Sequence, residues 1–125
     1  MNLLENLGIR TESVSAQKVI LSVKVTDKLK QPFGIVHGGI NATLAETAAS
    51  LGANQWLTEQ HFSKVAIGLN VNTQHLFPVE AGVIKMVAYP IHCGRHIQTW
   101  EAQSYLGQRI TSTSVVTLVN KEKTK

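Results

Sequence analysis

The sequence lacks the features that define several large protein classes. Cys93 is the one cysteine among 125 residues, so the chain can form neither an internal disulfide nor a zinc site with several cysteines. No apolar run reaches the roughly 18 residues that a membrane helix needs. Residues 1–8 have no basic start and contain an acid, unlike a signal peptide. These absences predict a cytoplasmic protein that does not bind a membrane.

Charge and composition are also unremarkable. Hydrophobic residues make up 43% and charged residues 16% of the chain, which is typical of a globular protein. The length suits a single domain, predicted to span residues 1–125. A net charge of +4 gives little reason to expect nucleic-acid binding, whereas a moderately basic surface suits a ligand with several phosphates. The histidines have no metal-site spacing, and no metal site is predicted.

Hydrophobic spacing predicts an α+β fold. Apolar residues alternate over residues 18–26, which is typical of a half-buried strand. Over residues 39–57 they recur every three or four positions among many small side chains, which indicates a long helix closely wrapped by a sheet. Four more strands, the last two joined by a hairpin at Gly107, are predicted at residues 65–76, 82–92, 96–105 and 109–119. An antiparallel sheet around one central helix is therefore expected.

The start and the middle of the predicted helix carry the chemistry. Unpaired N–H groups and the helix dipole at Gly38-Gly39 can stabilise an oxyanion, although the two glycines also suit a simple tight turn. Glu46 lies within an otherwise apolar stretch of the helix, where a carboxylate is costly unless it is exposed or used. It is therefore either a solvated helical glutamate or a catalytic carboxylate.

The segment Lys30-Gln31-Pro32-Phe33-Gly34-Ile35-Val36-His37-Gly38-Gly39, followed by Ala45-Glu46-Thr47 and Ser50, resembles the hotdog-fold thioesterases. Within this family it is similar to the aromatic acyl-CoA branch, which includes 4-hydroxybenzoyl-CoA and 1,4-dihydroxy-2-naphthoyl-CoA thioesterases. The resemblance extends over residues 18–119. It implies a hotdog fold, hydrolysis of an acyl-CoA without a dissociable cofactor, and a homodimer at minimum or a homotetramer. It also implies a part in menaquinone biosynthesis.

The resemblance also implies a role for each matching residue. Glu46 would act as general base or nucleophile, and the Gly38 N–H as oxyanion donor. The groups that orient the thioester would be Gln31, His37 and Ser50. Without the resemblance, these three would pass as a turn glutamine, a helix-flanking histidine and a tolerated helix serine.

A second stretch, His92-Cys93-Gly94-Arg95-His96, resembles the His-x-Gly-Arg segment that helps these enzymes hold the coenzyme A nucleotide. Gly94, Arg95 and His96 are therefore expected to bind substrate, and the persistent charge of arginine suits a phosphate. The alternative is a strand-edge arginine in solvent. The stretch is one residue shorter than in the naphthoyl-type enzymes. His75 matches another position near the substrate, although a strand histidine is often structural.

Spacing leads to a prediction about assembly. Gly38 and Glu46 are separated by about 12 Å along a helix, which is too far for both to act on one carbonyl. If both are catalytic, the site is shared between copies related by a two-fold axis. Two other functions stay open on the same fold: binding of acyl-CoA without hydrolysis, and hydration or dehydration of an acyl thioester. The acyl pocket or the plain core is expected to include Phe33, Leu57, Phe62 and Leu76.

Overall fold

One long helix lies against a curved sheet in the computed structural model, which describes residues 1–123. The helices are α1 (Leu3–Leu7) and α2 (Gly38–Glu59), and a 3₁₀ turn covers Asp27–Leu29. The strands are β1 (Ile9–Val14), β2 (Val19–Lys24), β3 (Lys64–His75), β4 (Val83–Cys93), β5 (Ile97–Leu106) and β6 (Arg109–Glu122). No helix within residues 1–123 is long and apolar enough to cross a membrane.

The six strands form one antiparallel sheet in the order β1-β2-β4-β5-β6-β3. Strands β1 and β3 therefore lie at its two edges, and β4, β5 and β6 follow one another as a meander. The sheet packs around α2, which contacts every strand. This arrangement confirms the predicted fold class, a hotdog fold with an antiparallel sheet wrapped around one central helix.

The small residues of α2 allow the sheet to approach it closely. Its buried positions recur at the three- and four-residue spacing of one helix face and are Asn41, Leu44, Ala45, Ala48, Ala49, Gly52, Ala53 and Leu57. Gly52 lies directly under the ring of Trp100, which is fully buried. A side chain at position 52 would overlap that ring. Trp100, which follows the predicted nucleotide-binding stretch, is therefore part of the core.

The sequence analysis missed the two elements at the start of the chain. Strand β1 is exposed along almost its whole length, so no alternation of apolar and polar residues marks it, and it is held by its backbone pairing with β2. Helix α1 has five residues, too few for a helical repeat. Its ends are capped by the side chain of Asn2, which accepts from the Glu5 N–H at 2.9 Å, and by Gly8 at φ 77°.

Candidate active site

Two cavities beside α2 are lined by four of the five predicted catalytic residues, and His37 lines neither. The first, here called the Gly38 cavity, has a volume of about 330 Å³ and is lined by Gln31, Gly38, His75 and by Ile35, Val36, Asn41, Leu76, Phe77, Pro78 and Val79. The second, the Glu46 cavity, has about 440 Å³ and is lined by Glu46, Ser50 and by Leu3, Leu4, Thr43, Thr47 and Leu51. A single chain thus keeps its predicted oxyanion donor and its predicted carboxylate in separate cavities.

In the first turn of α2, the Gly38 N–H is available to donate to a ligand. His37 is the N-cap, and its Nδ1 accepts from the Gly39 N–H at 2.8 Å. The Ile40 N–H donates to the His37 carbonyl at 2.9 Å. Within residues 1–123, no hydrogen bond has the Gly38 N–H as its donor. This group lies at the positive end of the helix dipole, where it can stabilise a developing negative charge.

Gln31 closes a tight turn at the wall of the Gly38 cavity. Its backbone N–H donates to the Ile35 carbonyl at 2.9 Å, and its own carbonyl accepts from the Gly34 N–H at 3.0 Å. Gly34 has φ 86°, a conformation that glycine adopts without strain. The side-chain oxygen of Gln31 accepts from the Phe33 N–H. Since that oxygen has a partner, the carboxamide NH₂ is the group that Gln31 offers to a bound thioester.

His75 ends β3 beside the start of α2. Its Nδ1 is 3.1 Å from Nδ2 of Asn41. Its Nε2 lies so close to Gly38 that a Cβ atom at that position would be 2.7 Å away. The absence of a side chain at Gly38 therefore lets the imidazole ring approach the helix backbone. His75 thus lies against Gly38, and both residues line the cavity that Gln31 also lines.

Glu46 lies in the middle of α2 and packs against β3 at Gly68. Its side chain is exposed in the single chain. A Cβ atom at Gly68 would overlap a carboxylate oxygen of Glu46 and would lie 2.8 Å from its Cδ. The pairing of β3 with β6 shifts register between Gly68 and Asn70, which marks a bulge beside the carboxylate. Sequence reasoning missed Gly68, although a glycine inside a strand pattern often marks a close approach.

Asn54 holds β3 against α2 next to this contact. Its Oδ1 accepts from the Ala66 N–H at 2.8 Å, and its Nδ2 donates to the Ala66 carbonyl at 3.2 Å and to the Ser50 carbonyl at 2.8 Å. The Ser50 Oγ is 3.4 Å from the same Nδ2. Ser50 is one helical turn beyond Glu46, as predicted, and lines the same cavity. Asn54 was not among the predicted site residues.

The predicted nucleotide-binding residues lie in the turn between β4 and β5, outside both cavities. The side-chain amide of Asn120 donates to the carbonyls of Gly94 at 2.9 Å and Arg95 at 3.1 Å. The Asn120 N–H donates to the His96 carbonyl at 2.9 Å. These bonds fix the backbone of the turn, while the side chains of Arg95 and His96 are exposed. The turn thus presents a cation on a rigid support.

Strand β3 separates this turn from the Gly38 cavity. Lys64, at the start of β3, donates from its Nζ to the Arg95 carbonyl at 3.1 Å. His75 ends the same strand of 12 residues, which corresponds to about 36 Å of extended chain. Arg95 and His75 of one chain therefore lie near opposite ends of β3, and the structure does not bring them together.

Cys93 is poorly placed to act as a nucleophile at these cavities. Burial raises the pKa of the Cys93 thiol, which lowers the fraction present as nucleophilic thiolate. Cys93 also lies outside the linings of both cavities. Among residues 1–123, no group of three or more His, Cys, Asp and Glu side chains is arranged to hold a metal ion.

The sequence and the fold of the chain are similar to those of known thioesterases. A family model described as thioesterase superfamily matches residues 33–113. A 1,4-dihydroxy-2-naphthoyl-CoA hydrolase from Listeria monocytogenes is 40% identical over 101 residues, which cover 81% of this chain and 80% of that protein. A proofreading thioesterase from Klebsiella pneumoniae is 33% identical over 103 residues, or 82% of this chain and 73% of that protein. A thioesterase structure from Haemophilus influenzae has a TM-score of 0.88 at 32% identity, covering 95% of this chain and 82% of that one.

Proposed function

Because this chain belongs to the thioesterase superfamily and is an acyl-CoA thioesterase, we propose that it hydrolyses an aromatic acyl-CoA in a site shared between two copies. A relative that acts on 1,4-dihydroxy-2-naphthoyl-CoA supports the aromatic substrate. With that substrate the enzyme would serve menaquinone biosynthesis in the cytoplasm. Hydrolysis, rather than binding alone, is favoured because the relatives are thioesterases and because Glu46 lines a cavity.

Two groups carry the proposed reaction. The Gly38 N–H donates to the thioester carbonyl oxygen and stabilises the negative charge that forms there. Glu46 acts either as the base that takes a proton from water or as the nucleophile. Addition at the carbonyl carbon breaks its π bond, and collapse of the intermediate breaks the carbon–sulfur bond. If Glu46 is the base, it passes the proton from water to the departing sulfur, so coenzyme A leaves as a thiol and the acyl group leaves as an acid that ionises to the carboxylate. If Glu46 is the nucleophile, it forms a mixed anhydride with the acyl group while coenzyme A leaves as a thiolate that takes a proton from water, and a second water then hydrolyses the anhydride to the carboxylate and free Glu46. Gln31, His37 and Ser50 orient the thioester.

The separation of the two cavities supports a shared site. Gly38 and Glu46 are about 12 Å apart along α2, and of the two cavities described above one is lined by Gly38 and the other by Glu46. Strand β3 is an edge strand with Ile67 45% and Leu69 65% exposed, and such an edge is prone to pair with another chain. A two-fold partner that runs antiparallel along α2 would bring its Gly38 to Glu46 of the first copy. A homodimer is the minimum, and a homotetramer follows if two dimers associate.

The two ends of the substrate are assigned to different regions. The acyl group lies in the Glu46 cavity, where Leu3, Leu4 and Leu51 provide apolar walls beside the carboxylate. The coenzyme A nucleotide binds at the β4–β5 turn, where Arg95 supplies a permanent positive charge for a phosphate. Gly94 and His96 complete that turn. Arg95 lies at the opposite end of β3 from the His75 of the same chain. Arg95 and His75 of one chain therefore serve two different active sites, and Arg95 binds the nucleotide of the site that does not contain this His75.

The single observation that carries the proposal is Glu46 lying against Gly68 in a cavity with leucine walls. The test compares Glu46→Ala with Glu59→Ala, a matched control at another exposed glutamate of α2. Glu46→Ala should lower kcat by about 100- to 10,000-fold, while Glu59→Ala should keep it within about twofold. Turnover is measured on a panel of aromatic and aliphatic acyl-CoAs. Normal turnover by folded Glu46→Ala would disprove the catalytic role, and a preference for long aliphatic chains would disprove the aromatic substrate.

A further inference from the structure

Asn41 is a buried polar residue that the proposed reaction does not use. It lies in the first turn of α2, three residues after Gly38, and only 8% of its surface is exposed. The following buried positions of the same face, Leu44, Ala45 and Ala48, are apolar. A carboxamide on such a face is costly unless it is hydrogen-bonded. Its side-chain partner in the structure is Nδ1 of His75, 3.1 Å from its Nδ2.

The orientation of the Asn41 amide bears on which nitrogen of His75 carries the proton. With its NH₂ group toward the ring, as in the structure, Asn41 donates and Nδ1 of His75 accepts. A neutral imidazole that accepts at Nδ1 carries its hydrogen on Nε2. That Nε2 lies beside the Gly38 backbone, 2.7 Å from the position of an added Cβ. The ring therefore presents an N–H next to the proposed oxyanion donor.

We propose that Asn41 is a positioning residue that holds neutral His75 with its proton on Nε2, so that His75 and the Gly38 N–H together donate to the thioester carbonyl oxygen. The proposal rests on the function proposed above and adds a second oxyanion donor to it. No proton is transferred, because His75 acts only as a hydrogen-bond donor. Both donors line the same cavity, and preorganised donors of this kind act most strongly where water is excluded.

Substitutions at position 41 separate this role from a structural one. In Asn41→Asp the side chain keeps its shape, but its carboxylate accepts from Nδ1–H and removes the preference for Nε2–H in the neutral ring. In Asn41→Ala neither tautomer is held. At a pH where the ring is neutral in every variant, we expect kcat to fall in the order wild type, Asn41→Ala, Asn41→Asp, because an imidazolium would carry a proton on Nε2 whatever residue stands at position 41. The loss for Asn41→Asp should reach about 100- to 1,000-fold, as for removal of an oxyanion donor, with KM changed by less than about threefold. A packing role predicts the reverse order of the two variants, because aspartate fills the space.

Nitrogen NMR of His75 reads the tautomer directly and does not depend on activity. In wild-type protein at a pH where the ring is neutral, Nδ1 should have the shift of an unprotonated nitrogen and Nε2 that of a protonated one. A proton on Nδ1 would overturn the proposal. In a His75→Ala background, Asn41→Asp should cause no further loss of kcat, and a large further loss would contradict the coupling.

Glu46→Ala, measured in the same assay, separates failure of this inference from failure of the proposed function. If Glu46→Ala is inactive while Asn41→Asp keeps its wild-type kcat, only the role of Asn41 is wrong. If folded Glu46→Ala is fully active, the proposed function fails whatever Asn41 does. Thermal unfolding of each variant identifies those that have lost the fold, and the NMR measurement on wild-type protein tests the proposal without any variant.

Discussion

At the scale of single residues, glycine makes room for both candidate catalytic groups. Gly38 admits the ring of His75, and Gly68 admits the carboxylate of Glu46. In each pair the functional side chain and the glycine come from different elements, α2 and β3. Backbone without a side chain thus allows close approach of a functional group. The same contacts make these positions sensitive to the smallest substitution.

Gly68→Ala should lower kcat without removing any catalytic group. The added methyl group would overlap the Glu46 carboxylate, so the side chain or β3 must move. A displacement of about 1 Å can cost about 100-fold in rate, and we expect a loss of about 10- to 100-fold. Steady-state kinetics and thermal unfolding measure the two effects separately.

A double-mutant cycle tests whether Gly68 acts through Glu46. In a Glu46→Ala background the carboxylate is absent, so adding Gly68→Ala should change kcat by less than about twofold. If the losses of kcat caused by Gly68→Ala and by Glu46→Ala instead add in free energy, Gly68 supports the site in another way.

The Cys93 thiol should react slowly with alkylating reagents and should not be needed for catalysis. Because burial raises its pKa, the protonated form persists to higher pH than in a free cysteine, and the reactive thiolate is scarcer at neutral pH. Alkylation by iodoacetamide should therefore be slow near pH 7 and accelerate as the pH rises past the usual cysteine pKa of about 8.5. Mass spectrometry follows the modification. Rapid alkylation at neutral pH, or loss of turnover in Cys93→Ser, would contradict this expectation.

At the scale of elements, the sequence analysis predicted the helices and strands that bury one of their faces. It missed the helices and strands that do not. Strand β2 alternates buried Val19, Leu21 and Val23 with less buried residues, so its period was readable. Strand β1 has no buried residue, and its pairing depends on backbone groups that every residue possesses. The end of α2 was predicted at Leu57, the last buried position, although the helix continues to Glu59.

The candidate site was predictable to the extent that its residues lie together in sequence. The run from Gln31 to Ser50 contains all five predicted catalytic residues because one loop and one helix carry them. Gly68 and Asn54 could not be paired with Glu46 and Ser50 in advance, since the register between α2 and β3 depends on packing. The contact between Asn41 and His75 likewise joins residues that are distant in the chain.

Helix α1 should influence which acyl groups are accepted. Leu3 and Leu4 line the Glu46 cavity, and the helix is held in place by the Lys28 Nζ, which donates to the Asn6 carbonyl at 3.1 Å. Leu4→Ala should enlarge the cavity and weaken binding of the preferred acyl group, raising KM about 10-fold. Larger acyl groups should lose less or gain. The measurement is kcat/KM across an acyl-CoA panel.

Asn6→Ala is the matched control for this experiment, because Asn6 is exposed, belongs to α1 and does not line the Glu46 cavity. It should leave the selectivity unchanged. Equal effects of Leu4→Ala on every acyl-CoA would indicate that α1 supports the fold rather than shaping the acyl pocket.

At the scale of the whole molecule, one chain holds two incomplete halves of the proposed site. The Gly38 cavity has donors without the carboxylate, and the Glu46 cavity has the carboxylate without the helix N-terminus. Strand β3 leaves one edge of the sheet without a partner within residues 1–123. A second copy that covers this edge would complete both sites at once, because a two-fold axis repeats each contact.

Mixing two inactive variants should therefore restore activity. Glu46→Ala keeps a sound Gly38, and Gly38→Val keeps a sound Glu46 but places a side chain against His75. After full subunit exchange, half of the dimers are mixed, and each mixed dimer has one site with both sound halves. Activity should rise to about one quarter of the wild-type value per chain. Each variant alone, treated in the same way, should stay inactive.

The exchange itself must be measured, because unexchanged homodimers would also stay inactive. Native mass spectrometry of the two variants, one of them isotopically labelled, reports the fraction of mixed dimers. Activity should grow in proportion to that fraction. If mixed dimers form fully and no turnover appears, the active site uses other residues. If a dilute monomer hydrolyses substrate at the full rate per chain, each chain holds a complete site. In either case Gly38 or Glu46 loses its proposed role, since the two are about 12 Å apart within one helix.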